Sequence, residues 1–549
     1  MSLTLKLKCS ILIPLVMAPI ALVWGQNDVP KPKLVVGIVV DQMRYDYLNK
    51  FSEHFTEGGF HRIINEGFSC ENNYLNYAPT LTGPGHAAIY TGTTPSNHGI
   101  LSNSWYDNTT GEAVYCVYDP SVEPIGTGSR IERKSPKQLL VNTIGDVNRQ
   151  ETAMKGKTIS ISMKDRAAVL AGGHTANAAY WFKGKEQGHW ISSSFYLEKL
   201  PRWVTTFNDT KQLDSYMEEW KPLNNIETYT QSGPDDRPFE RGFKGKEAPT
   251  FPYNLTTLSE ANGGFDILKS TPFGNSYTLD FAAAALRGEQ LGRDAHTDFL
   301  LISLSSSDYI GHNFGVNSKE IQDTFIRLDR DIEKFLIALD AHLGKGNYTL
   351  FLTSDHGATE NPNYLIENDR PGGYFKEGIF RNALKEFVYE RYGTTKIINN
   401  VSGNQVYLNK ELMTAMKLIH SEVEVAIEQF ISKQPQIETV ITRTQLLNEK
   451  ITEGLEELMQ NGFHAKRSGD VLYMLKPSVV VYAETGSDHG SGYEHDTHIP
   501  LLFYGLGIAK GSSSKKTLTI DSAPTIATLL KIAFPNGATG SPIIEVLEK

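Results

Sequence analysis

The chain has 549 residues, of which 40% are hydrophobic, 10% aromatic and 21% charged, and its formal net charge is −10. This composition excludes a disordered chain, and the length suits either one large α/β domain with insertions or several domains of about 150 residues each. The acidic balance argues against nucleic acid as a partner, and three cysteines exclude a scaffold built on disulfides.

Residues 1–25 are typical of a signal peptide. Lys6 and Lys8 precede an apolar run from Ile11 to Trp24, which is followed by a small residue. The run is too short for a comfortable membrane span and has the basic start of a secretory leader. We therefore expect a periplasmic or secreted protein without membrane contact after cleavage. Loss of the two lysines changes the net charge from −10 to −12.

Six short runs of β-branched and aliphatic residues predict buried strands of a central, mostly parallel sheet. The helical pattern of Glu320–Leu343 is the clearest of several between them, and this alternation favours an α/β fold with helices on both faces of the sheet. The predicted strands are Leu34–Val40, Thr158–Ser162, Phe299–Leu304, Tyr348–Thr353, Val479–Ala483 and Ile499–Tyr504.

Two stretches interrupt this alternation within a catalytic domain of residues 26–549. Residues 181–262 carry four tryptophans among glycine, proline and charged residues, which predicts an insertion over the edge of the sheet. Residues 376–470 combine long amphipathic helices with a possible strand at Asn404–Leu408. This second stretch predicts a small inserted subdomain.

A threonine in the segment APTLTGPGH is the first candidate for chemistry. Pro84 suits the first turn of a helix, so Thr82 lies at a helix N-terminus, where backbone N–H groups lack partners. Thr82 is either an ordinary N-cap or a nucleophile with N–H groups ready for a phosphoryl oxygen.

Two cysteines remain in the mature chain, Cys70 and Cys116. Export to an oxidising compartment predicts a disulfide between them. The alternative is two buried free thiols.

Lys164 and Arg166 follow the predicted strand Thr158–Ser162. Two residues apart at the end of a strand, their side chains project to the same face. At an ordinary surface they would be an unremarkable charge pair, whereas beside metal ions they would hold an anion, with the guanidinium offering paired hydrogen bonds.

Carboxylates and imidazoles follow four of the predicted strands. In open α/β sheets ligands bind outside the carboxyl ends of the strands, so these side chains are expected to converge. Each residue alone fits a cap, a turn or a buried histidine. Together, three carboxylates and three imidazoles suit two zinc ions that each keep an open position. The residues are Asp41, Asp308, His312, Asp355, His356 and His489.

These segments resemble the alkaline phosphatase superfamily, and within it the PafA-type periplasmic alkaline phosphatases, which use threonine as the nucleophile. The strand-end ligands resemble the bimetallic set of the superfamily, and TLTGPGHAAIYTGTTPSNHGI resembles its nucleophile segment. Asn103, which lies about twenty residues after Thr82, fits a position of this group, as do Lys164 and Arg166. The resemblance covers nearly the whole mature chain.

The resemblance implies that Asp308, His312 and His489 hold the first zinc ion. Asp41, Asp355 and His356 would hold the second, completed by Thr82. Asp488, His495 and His498 lie near His489 in the sequence, and His489 is preferred because it precedes Gly-Ser-Gly.

The same resemblance implies hydrolysis of phosphate monoesters through a phosphothreonine, with Asn103, Lys164 and Arg166 on the non-bridging oxygens. Three aspartates, two Zn²⁺, one lysine and one arginine give the site a charge of about +2 once Thr82 ionises, which suits a doubly charged monoester. The runner-up is a phosphodiesterase or nucleotide pyrophosphatase. A sulfatase is disfavoured because no Cys-x-Pro-x-Arg segment is present, and the last alternative is a non-catalytic binder of zinc or phosphate. We expect a monomer.

Overall fold

The computed structural model describes residues 30–185, 187–481 and 484–548, so the predicted signal peptide lies outside the described residues. A ten-stranded mixed sheet forms the centre of the fold, and its five middle strands are parallel to one another. In spatial order the ten strands are Gly511–Leu518, Phe68–Tyr74, Leu501–Gly505, Thr349–Thr353, Leu34–Val40, Asp298–Leu304, Thr158–Ser162, Ala178–Lys183, His189–Ser193 and Pro124–Ile125.

Both faces of this sheet are covered, as the continuous apolar strands require. In Leu34–Val40, Val36 and Ile38 pack into one hydrophobic core and Val35 and Val39 into another on the opposite face. The first core includes side chains of helices Pro272–Gly288 and Lys319–Leu343. The second includes side chains of the helices that begin at Thr82 and Ser522.

Helices follow most of the strands of the sheet. Among the described residues, no helix is both long and apolar enough to cross a membrane. The α-helices are Tyr47–Lys50, Phe60–Glu66, Thr82–Thr91, Pro95–His98, Ile144–Glu151, Asp165–Gly172, Arg202–Asp209, Gln212–Ser215, Leu255–Leu258, Pro272–Gly288, Ser306–Phe314, Lys319–Leu343, Pro362–Glu367, Glu377–Tyr392, Lys410–Ala415, His420–Ile431, Arg443–Asn448, Gly454–Gly462, Glu494–Thr497 and Ser522–Leu530.

A separate four-stranded sheet lies in the C-terminal half, in the order Ile398–Ser402, Gln405–Leu408, Val471–Leu475 and Ile437–Thr442. It has its own hydrophobic core, to which helices Glu377–Tyr392 and His420–Ile431 contribute. Three two-stranded pairs complete the sheets: Ser104–Asp107 with Glu112–Tyr115, Glu219–Trp220 with Tyr253–Asn254, and Gly373–Tyr374 with Val479–Val480.

The prediction that Val479–Ala483 is a strand of the central sheet is wrong. Only Val479 and Val480 pair, with Gly373 and Tyr374 outside the central sheet, and residues 482 and 483 are not described. Because a short apolar run does not specify which strand it will pair with, periodicity could not distinguish the two sheets. The run Ile499–Tyr504 does reach the central sheet, as Leu501–Gly505, but it runs antiparallel to both neighbours.

Two further expectations change. Trp181 and Trp190 lie on strands of the central sheet, so the first part of residues 181–262 belongs to the sheet and does not lie over its edge. Cys70 and Cys116 are buried free thiols in different hydrophobic clusters, so the predicted disulfide is wrong. A disulfide needs the two Cα atoms within about 7 Å of each other. Export to an oxidising compartment permits a disulfide but does not bring two cysteines that close.

Candidate active site

The parallel register brings the candidate residues to one edge of the sheet. Val40 pairs with Leu304, Val39 with Thr353, and Ser303 with Ser162, so these strands end side by side. The residues that follow them therefore share one edge. Those residues are Asp41, Asp308, Asp355, His356, Lys164 and Arg166.

Asp308, His312 and His489 form the first group of potential metal ligands. His312 lies one turn after Asp308 on helix Ser306–Phe314, and its Nε2 is 3.2 Å from Asp308 Oδ1. His489 Nε2 is 3.5 Å from the same oxygen. The Nδ1 atoms of the two rings donate to the backbone oxygens of Ser487 and Thr80, at 2.9 and 2.8 Å. The Nε2 atom of each ring therefore faces Asp308, where it would serve as the ligand atom for a metal ion.

His489 is neutral in this environment. Burial and the neighbouring His356 hold the pKa of His489 well below its usual value, despite the opposing effect of Asp308. Neutral imidazole is the form that binds a metal ion. His495 and His498 make other contacts: His495 Nε2 lies 3.3 Å from Ser491 Oγ, and His498 stacks against the ring of Tyr45 at 4.3 Å.

Asp41, Asp355 and His356 form a second group beside the first. His356 Nε2 is 3.5 Å from Asp41 Oδ1 and 3.7 Å from Asp355 Oδ2, and its ring stacks on His489 with centroids 3.6 Å apart. Among the described residues, the second set of atoms close enough to share one ion comprises Asp41, Asp308 and His356, without Asp355, so Asp308 lies between the two groups.

Three atoms of the second group are fully buried without a hydrogen-bond partner: Asp41 Oδ1, Asp355 Oδ2 and His356 Nε2. Asp355 Oδ2 lies 3.2 Å from His86 Nδ1, but that nitrogen hydrogen-bonds the backbone oxygen of Thr82 at 2.9 Å. Buried polar atoms without partners are costly. Carboxylate oxygens and an imidazole nitrogen that converge in this way fit a divalent cation such as Zn²⁺.

Thr82 is the first residue of helix Thr82–Thr91 and is only 1% exposed. The N-cap is Leu81, which makes no side-chain capping bond, so the Thr82 hydroxyl does not occupy the N-cap position. That hydroxyl oxygen instead lies 3.4 Å from Lys164 Nζ and 3.4 Å from Arg166 Nη2. Asn103 joins the same end of the helix, because its Oδ1 accepts the N–H of Gly83 at 2.8 Å.

Lys164 connects the two groups electrostatically. Its Nζ lies 2.6 Å from Asp41 Oδ2 and 2.5 Å from Asp308 Oδ2. Burial alone would lower the pKa of Lys164, but the attraction of Asp308 and Asp41 raises it by more than burial lowers it. The lysine therefore stays charged. For Asp308, burial raises the pKa, and Lys164 and His312 outweigh burial and hold it well below its usual value.

Asp41 differs from the other two carboxylates. Burial, with repulsion from Asp355 and Asp308, raises the pKa of Asp41 well above its usual value in spite of Lys164. Burial also raises the pKa of Asp355, but His356 and His86 reverse the effect and lower it. Repulsion among the three carboxylates therefore exceeds what Lys164 offsets at Asp41, and bound cations would relieve it.

Two residues that contact these ligands were not predicted as ligands themselves, and the sequence placed His86 in the nucleophile segment with a role in the core or in support of the ligands. Gln42 Nε2 donates to Asp308 Oδ1 at 2.7 Å, and its backbone N–H donates to Asp355 Oδ1 at 3.2 Å. His86 lies between the Thr82 backbone and Ser303, whose hydroxyl is 2.9 Å from His86 Nε2. The position of Gln42 directly after a strand-end aspartate was the one available signal.

Residues 35–498 match the family of type I phosphodiesterases and nucleotide pyrophosphatases. Over 532 residues the chain is 44% identical to a Myroides odoratus protein named a calcium-transporting ATPase, with 96% of this chain and 97% of that protein covered. It is 42% identical over 523 residues to alkaline phosphatase PhoV of Synechococcus elongatus, covering 95% and 94% of the two. It is 40% identical over 526 residues to alkaline phosphatase PafA of Elizabethkingia meningoseptica, covering 95% of each.

The fold agrees with these similarities. A crystal structure of alkaline phosphatase PafA matches with a TM-score of 0.91 at 40% identity, covering 95% of this chain and 100% of that one. A solved PafA variant, with the same TM-score of 0.91 and 39% identity, covers the same shares and carries replacements of one threonine, one asparagine, one lysine and one arginine. Those four residue types are brought together here as Thr82, Asn103, Lys164 and Arg166.

Proposed function

The chain belongs to the family of type I phosphodiesterases and nucleotide pyrophosphatases, in the alkaline phosphatase superfamily. From this membership we propose that it is an exported, zinc-dependent alkaline phosphatase with Thr82 as its nucleophile. Its similarity to alkaline phosphatases at 40–42% identity identifies it as a phosphoric monoester hydrolase. The observation that carries the finer proposal is the Thr82 hydroxyl oxygen, which lies 3.4 Å from both Lys164 Nζ and Arg166 Nη2 and next to two groups of potential metal ligands.

The relatives imply a divalent metal cofactor, and the donor atoms fit zinc. Zinc takes imidazole nitrogen and carboxylate oxygen together and tolerates a site that keeps one open position. Asp308, His312 and His489 would hold one ion, and Asp41, Asp355 and His356, with Thr82, would hold the other. When bound, zinc lowers the pKa of a coordinated hydroxyl and stabilises negative charge on oxygen.

The reaction proceeds in two displacements at phosphorus. The Thr82 oxygen, after its proton passes to solvent, bonds to phosphorus, and the ester oxygen leaves and is protonated as the alcohol. Hydroxide then attacks the phosphothreonine, the Thr82 oxygen leaves and is protonated again, and inorganic phosphate is released. At the start of helix Thr82–Thr91, Gly83 donates its N–H to Asn103 Oδ1 and Gly85 donates its own to the backbone oxygen of Leu81. Pro84 has no N–H, so side chains supply most of the donors to the phosphoryl group in this proposal.

Lys164, Arg166 and Asn103 hold the non-bridging oxygens in this proposal. Arg166 offers paired hydrogen bonds to two oxygens, and Lys164 adds a point charge. Asn103 is positioned by the N–H of Gly83, which leaves its amide NH₂ group free to donate. Such donors act where negative charge develops in the transition state, and removing one typically lowers kcat by about 10²–10³-fold.

Charge favours monoesters over diesters. Asp41, Asp308 and Asp355 contribute −3, two Zn²⁺ contribute +4, and Lys164 and Arg166 contribute +2. After Thr82 ionises, the site keeps a charge of about +2, which complements a dianionic monoester better than a monoanionic diester. The family also contains phosphodiesterases and nucleotide pyrophosphatases, which makes diester hydrolysis the second candidate.

The test compares kcat/KM for an aryl phosphate monoester, the matching diester and ATP, which is included because one relative carries the name of an ATPase. Wild type is expected to prefer the monoester. The K164A/R166A variant should lose at least about 10²-fold against the monoester and much less against the diester, because a diester presents one fewer charge to the missing cations. A wild type that prefers the diester would overturn the proposal.

Residues 1–25 support export to the periplasm or the medium. We also propose that the protein acts as a monomer. Cell fractionation tests export, and light scattering of the purified protein tests the oligomeric state.

A further inference from the structure

Gln42 has a backbone conformation that residues with a β-carbon rarely adopt. Its φ is +62°, in the left-handed region, and the residue is only 2% exposed. Left-handed non-glycine residues persist only where the surrounding structure requires them, and they are found frequently at functional sites. A buried glutamine also needs partners for its amide.

This conformation lets Gln42 contact one carboxylate of each ligand group. The turn directs its backbone N–H to Asp355 Oδ1, at 3.2 Å, and the side-chain Nε2 reaches Asp308 Oδ1 at 2.7 Å. The following residue continues the link, because the N–H of Met43 donates to Ser354 Oγ at 2.9 Å. A carboxylate on helix Ser306–Phe314 and a carboxylate that follows strand Thr349–Thr353 are thereby joined through one residue.

The facing helix leaves room for this side chain. A β-carbon on Gly311 would lie 1.9 Å from Gln42 Oε1, so only glycine at position 311 accommodates the glutamine in its present position. Gly311 is on helix Ser306–Phe314, between Asp308 and His312. The helix that carries two of the proposed zinc ligands therefore packs directly against Gln42.

We propose that Gln42 is a positioning residue that fixes Asp308 and Asp355 relative to each other and so sets the spacing of the two metal ions. This inference rests on the proposed zinc-dependent function. A neutral amide suits the role, since it donates to a carboxylate without adding charge to a site that already contains three acids. Outer hydrogen bonds of this kind orient metal ligands, and their loss typically costs 10–100-fold in metal affinity or activity.

Two substitutions separate the backbone contact from the side-chain contact. Q42G retains the left-handed turn and the N–H bond to Asp355 but removes the bond to Asp308. Q42E retains the shape of the side chain but places a fourth carboxylate against Asp308. The matched control is M154G, because Met154 has a similar φ of +64° but is 49% exposed and lies outside the site.

The experiment measures zinc release from the loaded enzymes to an excess of a chromogenic chelator, together with kcat, KM and the Tm of the zinc-free proteins. We expect Q42G to release zinc about 10–100-fold faster, with kcat falling more than KM rises, and Q42E to be affected more strongly. The Tm of zinc-free Q42G should equal or exceed that of wild type, since glycine adopts the turn without strain. M154G should release zinc at the wild-type rate.

The proposal is overturned if Q42G releases zinc at the same rate as wild type and has the same kcat. It is also overturned if the Tm of zinc-free Q42G falls while its rate of zinc release is unchanged. If wild type binds no zinc, the proposed function fails as well. A wild type that binds zinc and hydrolyses monoesters, alongside an unaffected Q42G, rejects the role of Gln42 alone.

Discussion

Two groups of buried carboxylates in the described part of the chain, one at the strand ends and one at Glu240 and Glu320, are stabilised differently. At the strand ends, Asp41 and Asp308 make direct ion pairs with Lys164 at 2.6 and 2.5 Å, next to three imidazoles. Elsewhere, Glu240 and Glu320 are also buried, and Glu320 Oε1 accepts a hydrogen bond from Tyr253 at 2.6 Å. The second oxygen of each glutamate has no hydrogen-bond partner.

The difference appears in the protonation of the two clusters. Burial, with mutual repulsion, raises the pKa of Glu240 to about 10, and burial raises that of Glu320 to about 8. Among the described residues, the groups that could hold a metal ion lie only at the strand ends. Burial of carboxylates is therefore not by itself a sign of a metal site, and the diagnostic feature is their convergence with imidazoles.

The largest expected effect is that of metal removal. It tests whether the carboxylates at the strand ends need a cation, as the comparison with Glu240 and Glu320 implies. Exhaustive chelation should abolish hydrolysis of an aryl phosphate monoester, because buried ligand atoms lose their partner and Thr82 loses its activation. Added Zn²⁺ should restore the activity, and two ions per chain should be found by elemental mass spectrometry. Full activity in metal-free protein would show that the two clusters do not differ in the way proposed.

A smaller effect is expected at the Glu240 and Glu320 pair. Their folded-state pKa values lie above those of the unfolded chain, so their contribution to stability is fully present below about pH 4.5 and is lost as pH rises through about 8 and 10. The Tm of the double variant E240Q/E320Q minus that of wild type should therefore be about 2 °C or more higher at pH 10 than at pH 5. Its kcat/KM should stay at the wild-type value.

The control for this measurement is E390Q, which changes an exposed glutamate on helix Glu377–Tyr392. Its difference in Tm from wild type should be the same at both pH values. Parallel pH profiles for E240Q/E320Q and wild type would mean that both glutamates are ionised in the folded protein.

Much of the site could be predicted because it depends on the ends of parallel strands. An apolar run such as Leu34–Val40 identifies its own strand, and the parallel register then brings Asp41 next to the residues that follow Leu304 and Thr353. The two-residue pairing of Val479 and Val480 could not be predicted, since it depends on the position of another short segment. His489 nevertheless reaches the site by a loop, held by the backbone oxygen of Thr80.

The contacts of Gln42 could not be predicted for a different reason. They require a left-handed turn at a residue that has no local preference for one, and a glycine on a helix far along the chain. Only the packed structure brings these features together. Sequence patterns therefore predicted the residues proposed to bind metal and missed the residue that connects them.

The central claim is that the Thr82 hydroxyl is the nucleophile of a phosphate monoester hydrolase. The most direct measurement is acid quenching during turnover of a ³²P-labelled monoester, followed by peptide mapping. The account predicts one labelled peptide with the phosphate on Thr82, and no label together with at least about 10³-fold lower kcat in T82A. Label on another residue, or near-wild-type turnover by T82A, would contradict it.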